Sequence, residues 1–272
     1  ATQRLHALLG AYDPSGELDD EFHARVHPVL GDITSPTLDL SEHDYAALAE
    51  ITDLTIHGAA STNLFARYKS IEPINVGGTR NIIEFCLKTK QKYLCYVSTY
   101  TVMGDKTFDG TLVFRETDLD VGQGFEHMTY QETKFNAEKL VRGAAERGLN
   151  WKILRPGQIF GESDTGNYPQ GQTNVSGLFY DIFKTIIETG VAIYSDTYFD
   201  VTPVDYVSRA TAFLALHEPR MSQTYHLTNP HMQTYSETTR KISDLGYPID
   251  IVPQEEYRQM LFARALKANG EE

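Results

Sequence analysis

Tyr130 and Lys134 stand four residues apart in "YQETKFNAEKLV" (130–141). On a helix this spacing puts both side chains on one face, a turn apart. A lysine ammonium beside a tyrosine favours the phenolate, because an opposite charge lowers an acid's pKa. A phenol tuned in this way serves as a general acid or base. Upstream, "YVSTYTVMGD" (96–105) reads as a strand ending on the hydroxyls of Ser98 and Thr99. A hydroxyl at that place is able to hydrogen-bond a carbonyl oxygen. Thr99, Tyr130 and Lys134 together read as a proton-donating site beside a carbonyl. The same spacing recurs at Tyr180 and Lys184 in "YDIFK", but no strand-end hydroxyl precedes it and its helix carries an ordinary apolar stripe. That second pair reads as aromatic packing and a solvated lysine.

The elements that must hold these residues alternate. Residues 1–12 read as the end of an amphipathic helix with Leu5, Leu8 and Leu9 on one side, and "DPSGELDD" as a surface turn. "HARVHPVLGD" (23–32) reads as a short strand closing on Gly31 and Asp32, and "SEHDYAALAE" as a helix capped by Ser41. "TDLTIHGAAS" is a buried strand, "EPINVGGTRNIIEFCLKTK" a helix with Val76, Ile83 and Cys86 inward, and "KYLCYVST" the next strand. A loop over 103–126, the Tyr130 helix, the strand "NWKILRPG" and a polar loop over 161–176 follow. "GLFYDIFKTIIETG" is a helix closed by Gly190, "VAIYSDTYFDVTPV" is extended, and "DYVSRATAFLAL" is a helix with Asp205 as its N-cap. The tail mixes a short strand with two helices. Strand and helix in alternation predict an α/β fold: a Rossmann-like, doubly wound parallel sheet. Ligands of such sheets bind beyond the carboxyl ends of the strands, where "HGAAS", "STYTV" and "RPGQIFG" fall.

Composition narrows the function classes. The chain has 272 residues, 41% hydrophobic, with a formal charge of −13. It has a core to bury and no basic block to offset phosphate repulsion, which argues against nucleic acid as a partner. No apolar run approaches a membrane span, and the charge gives no attraction to an anionic membrane. Cys86 and Cys95 lie in apolar segments without zinc spacing, so they read as buried free thiols in a reducing compartment, the cytoplasm. The histidines lack metal-ligand spacing, and no metal is expected.

"HGAAS" (57–61), "NVGGT" (75–79), "YVSTYTVMGD", "YQETKFNAEKLV", "LRPGQIFG" (154–161) and "FDVTPVDYVSRA" (199–210) occur in an order that resembles the extended short-chain dehydrogenase/reductase superfamily. Within it, "RLHALLGAY", "VLGDITSPTLDLSEHDYAALAEITDLTIHGAAS" and "RPGQIFGESDTG" are most similar to the thioester reductases. These are the terminal reductase domains of nonribosomal peptide and polyketide synthases, related to the reductase domains of carboxylic acid reductases. The resemblance implies that Thr99 and Tyr130 bind a thioester carbonyl oxygen, that Tyr130 supplies the proton, and that Lys134 holds the nicotinamide ribose. It implies NADPH, or NADH in its place, with Asp32 and Ile33 at the adenine. Ser98, Ala59, Ala60 and Asn75 would line the cofactor crevice, and Gly157 and Gln158 the nicotinamide side. Each secondary assignment has a rival: Asp32 as the cap of a turn, Asn75 as a backbone brace between two strand-end loops, His57 as a packed strand residue.

The implied dinucleotide-binding domain covers 1–165 and 191–215, and a smaller C-terminal substrate and carrier-docking lobe covers 166–190 and 216–272. Arg258, Arg264 and Lys267 of that lobe would meet an acidic, phosphopantetheinylated carrier protein within a larger multidomain synthase. The glycine-rich G-x-x-G-x-x-G turn that such a cofactor site needs is not in the sequence. The family pattern puts it upstream of Ala1, with roughly 35–45 residues completing a first βαβ unit. Two other readings stand beside the thioester reductase. One is a nucleotide-sugar epimerase or dehydratase with the same Thr–Tyr–Lys set. The other is a truncated, non-catalytic dinucleotide-fold domain.

Overall fold

The computed structural model describes residues 2–105, 113–166 and 178–260. In chain order they form α1 (Thr2–Tyr12), α2 (Asp19–Arg25), α3 (Glu42–Ile51), β1 (Leu54–His57), α4 (Tyr68–Glu72), a π-helical turn (Pro73–Gly77) and α5 (Gly78–Leu87). Next come β2 (Tyr93–Val97), a tight helical turn (Tyr100–Met103), α6 (Thr129–Gly143), β3 (Asn150–Pro156) and β4 (Ile159–Phe160). The chain continues as α7 (Leu178–Thr189), β5 (Val191–Ile193), β6 (Tyr198–Phe199), β7 (Thr202–Pro203) and α8 (Val204–Leu216). Last are β8 (Gln223–Leu227), β9 (Gln233–Thr234), α9 (Tyr235–Asp244) and β10 (Asp250–Val252).

The chain divides into two compact units, Ala1–Asn167 with Thr202–Thr228, and Tyr168–Val201 with Asn229–Glu272. The first holds a four-stranded sheet in the order β1-β2-β3-β8, every pair parallel. Side chains alternate across it with the two-residue period of a strand. Leu94 and Tyr96 of β2 and Trp151 and Ile153 of β3 face Tyr45 and Ala49 of α3, Ile83 and Cys86 of α5, and Ala137 and Val141 of α6. Cys95 and Leu154 face the other way, onto Val207 of α8 and Leu227. Helices therefore cover both faces, as the alternating pattern predicts. Lys152 shares the α8 face, and its Nζ donates to the Leu214 and Glu218 carbonyls at that helix's end. A cation at a helix C-terminus satisfies orphan acceptors and the dipole together.

Several expectations are corrected. Residues 216–228 belong to the first unit, because β8 completes the sheet beside β3, and residues 191–201 to the second, because β5 pairs with β10. The strand expected over 23–32 does not form. α2 occupies its start, and among the described residues no strand lies alongside the remainder, so Leu30 stays 78% exposed. Among the described residues β1 pairs with β2 alone, and Ile56, expected inside a buried strand, is 50% exposed. Leu5 and Leu8 of α1 are exposed. Asp205 does not cap α8. Pro203 holds that position, and the Asp205 carboxylate accepts from the Ser163 amide at 2.9 Å and its hydroxyl at 3.0 Å. Ser41 does cap α3, accepting from the Asp44 amide, and Gly190 closes α7 with φ +64°. Cys86 and Cys95 are buried free thiols, and burial raises Cys95 to about 11.

Arg155 on β3 and Glu138 on α6 form an ion pair with both side chains fully buried. Arg155 Nε donates to Glu138 Oε1 at 3.0 Å and an Nη to Oε2 at 2.8 Å. The guanidinium also donates to the Asp118 carbonyl at 2.7 Å and His226 Nε2 at 3.2 Å, and lies over the Phe114 ring. One buried fork thus joins strand, helix and the far half of the 103–126 segment. Losing one partner leaves an uncompensated charge in the core. Arg155→Met is expected to cost about 3–5 kcal/mol in urea denaturation, with most of that recovered in the double variant Arg155→Met/Glu138→Leu. Equal losses in the single and double variants would contradict this account.

Candidate active site

A helix that returns from one parallel strand to the next runs against them, so its first turn stands at their carboxyl ends. α6 is such a helix, and Tyr130 lies in its first turn. One turn on, Lys134 is 2% exposed and donates from Nζ to the carbonyl of Val97, the last residue of β2, at 2.6 Å. Its ammonium sits 4.3 Å above the Tyr96 ring. Burial depresses Lys134 to about 7, with Glu138 one turn further along pulling it upward. Burial alone pushes Tyr130 up to about 12. The expected lowering of Tyr130 by Lys134 is therefore corrected. Burial is the cause that acts on Tyr130, and the phenol is neutral and able to donate a hydrogen bond at neutral pH. The contrast with the second pair is clear. Lys184 has a 73% exposed side chain, 3.8 Å from Glu188.

Thr99 lies two residues beyond β2 and caps the turn Tyr100–Met103, its Oγ1 accepting from the Thr101 amide. Ser98 is held by its amide on the Leu154 carbonyl at 2.7 Å. Its hydroxyl is buried and has no hydrogen-bond partner among the described residues. Gln158 reaches this turn from the end of β3, Nε2 to Tyr100 Oη at 3.3 Å, and Gly157 donates to the Leu227 carbonyl at 3.0 Å. The turn leaves through Gly104, whose φ of +68° suits glycine and whose missing Cβ makes room for the Gly124 carbonyl.

Asn75 is buried, with its side-chain amide engaged inside the protein. Its Oδ1 accepts from the Ser61 amide at 2.7 Å, and Nδ2 donates to the Ser61 carbonyl and to Thr133 Oγ1 at 2.8 Å. Thr133 in turn donates to the Tyr130 carbonyl at 2.7 Å. With both amide protons engaged, Asn75 is a brace from the loop after β1 to the first turn of α6. The π-helical turn Pro73–Gly77 that carries it is a local widening of the kind found at functional sites. Asp32 caps its own turn, accepting from the Thr34 amide and hydroxyl at 2.8 Å. Ile33 packs on Gly78, where a Cβ would come within 2.7 Å of its Cδ1. Ala59 is exposed and Ala60 half-buried, in the small-residue loop after β1. Arg258 is exposed, whereas Arg264 and Lys267 lie outside the described residues.

Thr133, Glu138 and Arg155 were not singled out from sequence. All three stand inside the quoted motifs, and a charge in a largely apolar strand is the signal that marks Arg155. Nothing in the sequence marks Thr133.

The family described as male sterility protein, an NAD-binding family, matches residues 1–211. The chain belongs to that family. The match is to an NAD-binding family of the extended short-chain dehydrogenase/reductase superfamily, and the chain is similar to reductase domains of peptide and polyketide synthases. It is 30% identical over 255 residues to a linear gramicidin synthase of Brevibacillus parabrevis, spanning 93% of this chain and 5% of that synthase. Among solved structures, it is similar to the terminal R domain of the myxalamid PKS-NRPS biosynthetic pathway. The TM-score is 0.78 at 34% identity, covering 93% of this chain and 62% of that one. A thiolation-reductase di-domain from an archaeal non-ribosomal peptide synthetase matches with a TM-score of 0.73 at 25% identity, over 89% of this chain and 51% of that one. The chain thus spans less than two thirds of each. The family's nicotinamide cofactor fits the residues described at its reactive end, where the unpartnered Ser98 hydroxyl and the Lys134 ammonium adjoin the end of β2.

His57, at the end of β1, completes the wall behind Lys134. Thr79 Oγ1 gives its one proton to the Asn75 carbonyl at 2.6 Å, so it accepts from His57 Nε2–H at 3.1 Å. Burial, and then Lys134, lower His57 from 6.5 to about 4. Between these values the unfolded chain binds the extra proton, so stability falls as pH drops from 6.5 toward 4. Urea denaturation of wild type is expected to lose about 2 kcal/mol more between about pH 7 and pH 5 than that of His57→Gln, which does not titrate. An equal loss in both would contradict the burial of a neutral imidazole.

Proposed function

We propose that this chain reduces the carbonyl of an acyl or peptidyl thioester held on the phosphopantetheine arm of a carrier protein, releasing an aldehyde, which some substrates carry on to the alcohol. The observation that carries the reading is Lys134. It is buried and fixed on the carbonyl of Val97, two residues before Thr99, and stands one helical turn from Tyr130. Reduced nicotinamide, with NADPH the proposed form, supplies the hydride when bound. Thr99 and Tyr130 donate hydrogen bonds to the carbonyl oxygen, where negative charge grows as the carbon is reduced. Tyr130, neutral because burial raises it, gives its proton to that oxygen. The resulting hemithioacetal separates into aldehyde and carrier thiol. Lys134 holds the cofactor ribose, and on binding becomes the positive neighbour that favours the tyrosinate left behind. Ser98 offers its hydroxyl to the same region.

The first unit is read as the cofactor domain, and the second as the lobe that meets the carrier and the acyl chain. The archaeal neighbour is a reductase joined to a thiolation domain, which supports a carrier as partner. Reduced-nicotinamide oxidation with an acyl thioester on a carrier protein tests the reading. Wild type is expected to turn over faster with NADPH than with NADH. Tyr130→Phe is expected to lose at least about a hundredfold in kcat. Turnover that survives in Tyr130→Phe overturns the assignment of the proton donor.

A further inference from the structure

Thr101 takes no part in the proton transfer or in holding the cofactor. It stands in the turn Tyr100–Met103, half-buried, and touches Thr99 twice. Its amide donates to Thr99 Oγ1 at 3.2 Å, and its own hydroxyl lies 2.9 Å from the same oxygen. A hydroxyl oxygen has one proton and two lone pairs. The Thr101 amide occupies one lone pair of Thr99. The contact between the two hydroxyls then runs in one of two directions. If Thr99 is the donor, its proton is engaged inside the protein, and the Thr101 proton has no acceptor among the described residues. If Thr101 is the donor, both lone pairs of Thr99 are filled, and the Thr99 proton is the one that must find a partner outside the turn.

In the free protein the two arrangements satisfy equally many groups. With a carbonyl oxygen beside Thr99 the second satisfies one more, because the Thr99 proton then has an acceptor, and the turn holds Thr101 where it supplies that arrangement. Gln123 Nε2 donates to the Val102 carbonyl at 2.9 Å and to the Leu119 carbonyl at 2.7 Å, so the turn is tied down just past Thr101. Gln158 holds Tyr100 just before it. Thr99 itself is buried. We propose that Thr101 is a positioning residue that fills the acceptor sites of Thr99 and so commits the Thr99 hydroxyl to donating to the substrate carbonyl oxygen. The assignment rests on the carbonyl-reduction reading of this site. It also gives that reading a directional element, because a hydroxyl that accepts is of no use to an oxygen gaining negative charge.

Thr101→Val keeps the shape and the amide and deletes only the hydroxyl, whereas Thr101→Ser keeps the hydroxyl. In steady-state reduction of a carrier-bound acyl thioester with NADPH, Thr101→Val is expected to lower kcat about tenfold, with KM for the thioester and Kd for NADPH within about twofold of wild type. Thr101→Ser is expected to restore most of that rate. In a Thr99→Val background, Thr101→Val is expected to add no further loss, an epistasis that a merely structural role would not produce. The assignment is overturned if Thr101→Val turns over like wild type, if Thr101→Ser falls as far as Thr101→Val, or if the loss persists without the Thr99 hydroxyl. Those outcomes leave thioester reduction standing. A wild-type chain that binds NADPH and reduces no thioester overturns the reading of the site and the Thr101 assignment with it.

Discussion

The buried fork between Arg155 and Glu138 is the contact on which the rest of the first unit turns. A carboxylate taken out of water needs a partner of matched geometry, and a bidentate guanidinium is the best match a protein offers. Arg155 comes from β3 and Glu138 from α6, so the pair fixes helix to sheet in rotation as well as in distance. The remaining donors of the same guanidinium reach Asp118 and His226. Arg142, one turn beyond Glu138 on α6, bonds the Glu116 and Thr117 carbonyls and Thr224. The chain from 113 to 120 is therefore strapped across α6 and β8 by two arginines. A helix held in this way presents its first turn at a defined place beyond the strand ends, and Tyr130 is in that turn.

At the site itself burial dominates over local charge. Tyr130 and Lys134 are both driven toward their neutral forms, Tyr130 to about 12 and Lys134 to about 7. No carboxylate forms an ion pair with Lys134 among the described residues, and its nearest anion, Glu138, is already claimed by Arg155. The two pairings are coupled, because the arginine that stabilises Glu138 also weakens the support Glu138 gives Lys134. This leaves a lysine amine with hydrogen-bonding capacity to spare and a neutral phenol at one strand end. Such a combination is costly for folding and suited to binding a polar ligand and donating a proton.

The polar braces share a pattern. Asn75 bonds Ser61 and Thr133, Thr79 bonds His57 and the Asn75 carbonyl, and Gln123 bonds Val102 and Leu119. Each joins a strand-end loop to a helix or another loop, where apolar packing alone is too permissive to fix a hydroxyl to within a few tenths of an ångström. Side chains with two or three fixed hydrogen-bonding directions supply that precision. The π-helical turn serves the same end by setting Asn75 at the angle its three bonds require.

The sequence by itself determined the α/β class of the fold and singled out the set of residues proposed to react. Strand and helix periodicities, the hydroxyls ending β2 and the Tyr–Lys turn are local properties, and local properties are written in residue order. It also separated Tyr130–Lys134 from Tyr180–Lys184, because the element preceding each pair differs. What it left open depended on partners distant along the chain. A strand forms only beside another strand, so 23–32 and the sheet's last strand, β8, had to wait for the pairing. Asn75 was legible as either ligand or brace until Ser61 and Thr133 came within reach of its amide. The direction of the Tyr130 shift reversed for the same reason. Spacing reveals a neighbouring charge, but the cost of burying a group is set by everything packed around it, and only the tertiary structure assembles that surrounding.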